Sequence, residues 1–136
     1  LIWIKGKIIG LSQLCLMATL ILYIAGIYSL GFAIFHMLFW KAFRWKEDLQ
    51  HLRSVNRAII QILNTRIIYF LLLCAFLCFF FADELLATRL GQVMLIGIAL
   101  FWAGRTVEQF IFLRAYYVLT AIFILGTMLF SLPLFL

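Results

Sequence analysis

Long uncharged runs separated by short charged clusters set the pattern of this chain. The first run, from Ile8 to Trp40, has 33 residues with His36 counted as neutral. As a helix rising about 1.5 Å per residue it would be about 50 Å long, against a hydrocarbon core of about 30 Å. No turn signal divides it, and Gly26 and Gly31 alone are too weak to do so. One tilted or protruding helix with its span over about 11–35 is therefore expected. The second run, Ile67 to Ala82, grows upstream through Ile59, Ile60, Ile62 and Leu63, with Arg66 snorkelling to the headgroups, and predicts a span over 59–82. The third, Leu90 to Gly104, borrows Leu85 and Leu86 and predicts 86–104. The fourth, Ala115 to Leu136, predicts 115–135.

In hydrocarbon an unpaired amide is so costly that only helices and closed barrels cross. Barrel strands alternate apolar and polar positions, and Ile67–Ala82 does not. The expected fold class is an all-α membrane protein: a four-helix transmembrane bundle with an amphipathic interfacial helix between spans 1 and 2. No long repeat, low-complexity stretch or flexible linker interrupts residues 1–136, so one domain is expected.

Composition agrees, since 68% of residues are hydrophobic where a soluble domain carries about 45–50%. The net charge of +6 raises the question of nucleic acid, but the cations flank apolar runs and form no face for phosphates. They fit a topology signal better. With four spans, Lys5, Lys7 and Arg89 share one side, and Lys41, Arg44, Lys46, Arg53, Arg57, Arg66, Arg105 and Arg114 the other. The positive-inside rule then puts both termini on the non-cytoplasmic side. Trp40, Trp45, Trp102, Tyr116 and Tyr117 gather near the cytoplasmic ends, as interfacial anchors do.

Between the first two spans, Leu49, Leu52, Val55 (or Asn56), Ile59 and Leu63 recur every three or four residues, opposite Glu47, Gln50, His51, Ser54 and Arg57. This predicts an amphipathic cytoplasmic helix over about 45–57 that bends into, or continues as, the second span. Asp83 is the expected N-cap of the third span, with Glu84 in its first turn. Ala25, Ser29 and Ala33, and likewise Ala99 and Ala103, form stripes of small residues for close helix contact, within the bundle or between protomers. Cys15, Cys74 and Cys78 lie inside apolar runs without a CxxC pair, and read as packing residues. No metal or cofactor is expected.

Polar groups carry most information where lipid should exclude them. His36 lies near the cytoplasmic end of the first span. Asn56, Arg57, Gln61, Asn64 and Arg66 lie at the same end of the second, and Trp102, Arg105, Glu108 and Gln109 at that end of the third. Arg105 and Glu108 are three apart, within pairing reach on a helix. The candidate ligand-binding set is His36, Arg57, Asn64, Trp102, Arg105, Glu108 and Gln109, with no catalytic residue assigned. Two arrangements are open: a closed polar collar that fixes helix register, or a cavity in which Arg57 and Arg105 hold an anionic group.

The stretch Trp45-Lys46, Asp48-Leu49, Leu52, Asn56-Arg57 resembles a W-K-x-E-L-x-x-L-x-x-x-N-R pattern. Asp83-Glu84-Leu85, Leu90-Gly91, Phe101-Trp102, Arg105 and Gln109-Phe110 resemble D-E-L…L-G…F-W-x-x-R-x-x-x-Q-F. Both are similar to small four-helix membrane proteins of bacteria, Bacteroidetes among them. The likeness implies the same topology and a bacterial inner membrane, and it supplies no reaction. The expected function is non-enzymatic binding of an anionic lipid, a metabolite or a partner subunit at the cytoplasmic polar collar. The alternative is a small enzyme or carrier with a cavity lined by His36, Asn64, Arg105 and Glu108.

Overall fold

The computed structural model describes residues 2–113 and 116–136, with side chains from Ser12 onward. The side chains of Lys5 and Lys7, together with Arg114 and Ala115, lie outside the described residues. Every regular element among those described is helical: α1 (Ile2–Met37), α2 (Phe39–Ala42), α3 (Trp45–Asp48), α4 (Ser54–Phe80), α5 (Ala82–Ala87), α6 (Arg89–Phe112) and α7 (Tyr117–Ser131). A 3-10 turn over Leu49–His51 follows α3, and another over Leu132–Phe135 follows α7.

Among the described residues, four segments are long and apolar enough to cross a membrane: Ser12–Met37, Ser54–Phe80, Arg89–Phe112 and Tyr117–Phe135. In the most apolar stretch of each, only 28% of the residues are buried inside the protein. Large side chains such as Ile27, Leu100 and Val118 stand open on the outside. Water does not tolerate continuous apolar surface on this scale, whereas lipid does. The chain is built as a multi-pass helical membrane protein.

Helix α1 packs along α4 on one side and α7 on the other, and α7 packs along α6. The lateral order is therefore α4–α1–α7–α6. Small residues make the contacts close. Ala25, Ser29 and Ala33 are fully buried on α1, and Cys74 and Cys78 are buried on α4 as free thiols. Leu22, Leu71, Leu95 and Phe130, one from each long helix, fill the centre. Helices α4 and α6 pack less closely on each other. At one end their gap is closed by α5, which packs on α6, α1 and α4. At the other end it stays open.

Two connections differ from the sequence expectation. In place of one helix over 45–57, the chain forms α3, a 3-10 turn, and an extended step at Leu52 and Arg53 before α4 begins. Arg44 enters this segment in the left-handed region, φ 49°. The cause is the reversal the chain must make. A straight helix continued back from α4 to Trp45 would carry nine residues, about 14 Å, past the end of α1. The break instead buries Leu49 and sets Trp45 against Phe39, ring centroids 5.4 Å apart.

The third span begins at Arg89 instead of 86, and its N-cap is Thr88, not Asp83. Thr88 is extended, its Oγ1 accepting from the Gly91 N–H at 2.9 Å and donating to the Glu84 carbonyl at 2.7 Å. Asp83 lies in the first turn of the separate helix α5, whose N-cap position is Phe81. A hydroxyl can both cap the new helix and close the old one, which a carboxylate cannot. At its other end α6 runs on to Phe112, eight residues beyond the expected 104, because no glycine or proline after Gly104 stops it.

Candidate functional site

The open end of the α4–α6 gap holds a cavity of about 450 Å³. All four long helices line it: Phe32 and His36 from α1, Asn64, Ile67 and Leu71 from α4, Phe101, Trp102, Arg105 and Glu108 from α6, and Phe123 from α7. Its size falls within the range of about 300–1,000 Å³ usual for small-molecule sites. The polar groups sit toward the ends of α1 and α6, and the slot between α4 and α6 below them is apolar.

His36 and Asn64, 28 residues apart in sequence, form a paired contact. The Asn64 Nδ2 donates to the His36 carbonyl at 3.1 Å, and Oδ1 lies 2.8 Å from His36 Nδ1. The first bond fixes which way the amide points, so Oδ1 must accept and Nδ1 must carry the proton. In the neutral ring Nε2 is then left with a lone pair. Phe39 stacks on the imidazole with centroids 4.3 Å apart and Trp45 packs on Phe39, so the connector covers this end of the site.

Arg105 and Glu108 form an i,i+3 ion pair at the mouth, both side chains partly open to the surroundings. The guanidinium also lies over the Phe123 ring, 5.2 Å from its centroid. Only one Arg105 nitrogen is committed to Glu108, so others among its five N–H donors can meet a ligand. Trp102 forms the inner wall and is only 2% exposed. It packs edge-on against Tyr28 at 4.9 Å and Phe32 at 5.0 Å, and its indole N–H has no partner among the described residues.

Of the seven candidate residues, five line this cavity, and two do not. Arg57 sits in the first turn of α4, where Nη2 reaches the Leu52 carbonyl at 3.4 Å. That carbonyl is turned out of any helix by the extended step, and the guanidinium serves the break instead of the cavity. Gln109 is buried on α6 and donates from Nε2 to the Leu113 carbonyl at 3.0 Å, closing the helix end. The expectation that Arg57 and Arg105 face one cavity is thereby corrected. The polar pairs of a collar do form, His36 with Asn64 across two helices and Arg105 with Glu108 along α6, and both border the cavity. Sequence reasoning missed the apolar part of the lining, Phe32, Ile67, Leu71, Phe101 and Phe123. In a lipid-soluble chain such residues look the same whether they face lipid, core or ligand.

The fold and site define a helical multi-pass membrane protein with an amphipathic cavity between its helices. Comparison with protein families, curated proteins and solved structures finds no match for the chain.

Proposed function

We propose that this is a non-enzymatic integral membrane protein that binds an amphiphile by its anionic group, a phospholipid above all, in the cavity between α4 and α6. One observation carries the reading: Arg105 stands at the mouth of a slot whose deeper walls are apolar and which lies on the loosely packed side of the four helices. A charged head at Arg105 and a chain along Ile67, Leu71 and Phe101 match both ends of that gradient. In an Arg105→Gln variant, phospholipid retained through mild-detergent native mass spectrometry should fall about tenfold, the worth of one charge-assisted hydrogen bond. Arg57→Ala, outside the cavity, should retain lipid as the wild type does. Equal retention by the Arg105 variant and the wild type defeats the reading.

A carrier or small enzyme is the second reading, favoured because the cavity reaches His36. Lipid that is held but neither moved between leaflets nor altered supports the binder. Faster exchange of a labelled phospholipid in proteoliposomes supports the carrier. A partner subunit covering the cavity is a third occupant.

The resemblance and the cation pattern further support a bacterial inner membrane, both termini outside, the interfacial segment from Trp45 cytoplasmic, and a bundle of four spans. On this topology Asp83→Cys, at an exposed position, should react with a membrane-impermeant maleimide from outside intact cells. Labelling only after the cytoplasmic face is opened would reverse the orientation.

A further inference from the structure

Among the described residues, the formal charges lining the cavity are one cation, Arg105, and one anion, Glu108, already paired with each other. Compared with one that also carries a cation, a headgroup whose only charge is negative gains less there. The attraction of Arg105 for it is offset by the repulsion of Glu108 on the next turn, and the net charge of the site is zero with His36 neutral. Opposite charges on a single ligand face no such conflict.

The uncommitted hydrogen-bonding groups make the same demand. Arg105 offers N–H donors. Glu108 offers a carboxylate, and His36, its Nδ1 proton held by Asn64, offers Nε2 as an acceptor when neutral. A group with several N–H donors next to a phosphate uses all of them, and the Arg105–Glu108 pair opens into two intermolecular pairs of the same kind.

Resting on the lipid-binding reading above, we infer that the cavity selects a zwitterionic phosphoryl-ethanolamine headgroup, phosphate on Arg105 and primary ammonium on Glu108 and His36. A quaternary ammonium has no N–H to donate, so choline lipids make neither of the latter bonds.

The test offers the purified full-length protein equal amounts of phosphatidylethanolamine, phosphatidylcholine and phosphatidylglycerol in mild detergent, and measures retention of each by native mass spectrometry. The wild type should favour the ethanolamine lipid about tenfold over each of the others. Glu108→Gln leaves the site with a net positive charge and should reverse the order, with phosphatidylglycerol retained most. Glu108 is half exposed, so this near-isosteric change leaves folding intact. Free O-phosphoethanolamine in excess separates the two sources of the headgroup: displacement of bound lipid assigns the soluble compound, and persistence of the lipid assigns the membrane. A wild type that holds phosphatidylglycerol or phosphatidylcholine as well as phosphatidylethanolamine overturns the inference, as does an unchanged order in Glu108→Gln. If in that case Arg105→Gln still lowers retention of all three, the lipid-binding reading stands and only the headgroup assignment falls.

Discussion

Replacing Gly91 by alanine is expected to cost about 3 kcal/mol or more of stability, at the top of the range for overpacking a helix contact. A Cβ at this position would lie 2.4 Å from the Glu84 carbonyl oxygen, 2.4 Å from Leu85 Cα and 2.6 Å from the Leu85 carbonyl oxygen. All three are backbone atoms, so no rotamer change can make room. Either α5 leaves α6 or the Thr88 cap, whose acceptor holds the Gly91 N–H, is broken. Because α5 closes the far end of the α4–α6 gap, the loss reaches beyond one contact. Gly104→Ala is the matched control: it too is helical, with nothing within 4 Å of the added carbon, and should be neutral or gain up to about 1 kcal/mol from helix propensity. Thermal unfolding of the three proteins in one detergent checks this. A Gly91→Ala variant that unfolds with the wild type would mean that α5 and α6 do not approach as described.

The second large effect is expected at Gly126, where α7 passes the inner wall of the cavity. An added Cβ would stand 2.7 Å from the Tyr28 Oη and 2.8 Å from Trp102 Cδ2. Trp102 is hemmed in by Tyr28, Phe32 and Phe123, so it can retreat only into the cavity. Tyr28 can yield only by giving up the 2.7 Å hydrogen bond it donates to the Ile122 carbonyl, which leaves a hydroxyl unpaired between helices. Gly126→Ala should therefore lose about 2 kcal/mol. It should also weaken lipid retention, since Trp102 cannot shift without reshaping the cavity. Gly91→Ala, at the other end, should lower stability while leaving the headgroup preference of the surviving folded protein as it was. Parallel unfolding and native mass spectrometry on both variants separate a wedge at the site from a wedge at the far end. Full lipid retention by Gly126→Ala at wild-type stability would contradict the packing around Trp102.

The candidate site was legible where it depended on one helix at a time. Arg105 and Glu108 pair because they are three apart on α6, and that spacing is in the sequence. That His36, Asn64, Arg105 and Glu108 come to a common depth also follows, from counting residues inward from the ends of three spans. Their actual partners did not follow. Asn64 meets His36 across two helices, whereas Arg57, about two turns nearer the start of α4, and Gln109 turn to the carbonyls of Leu52 and Leu113. Which happens depends on the rotation of each helix about its axis, and a helix apolar on all sides gives little sign of that rotation.

The helical character of the chain and the number and approximate extent of its apolar segments were determined by the sequence itself. Hydrocarbon requires every backbone amide to be satisfied within the segment, and the lengths of the uncharged runs follow directly. The tertiary structure alone decided where continuity fails, at Leu52–Arg53 and at Thr88, and that Gly91 and Gly126 leave no room for a Cβ. It also decided that the α4–α6 gap stays open beside Arg105. In a soluble protein, polarity marks the outside and helps to orient each helix. Here lipid, protein core and cavity wall accept the same leucines and phenylalanines, so composition no longer distinguishes the faces, and only the packing of the helices against one another does.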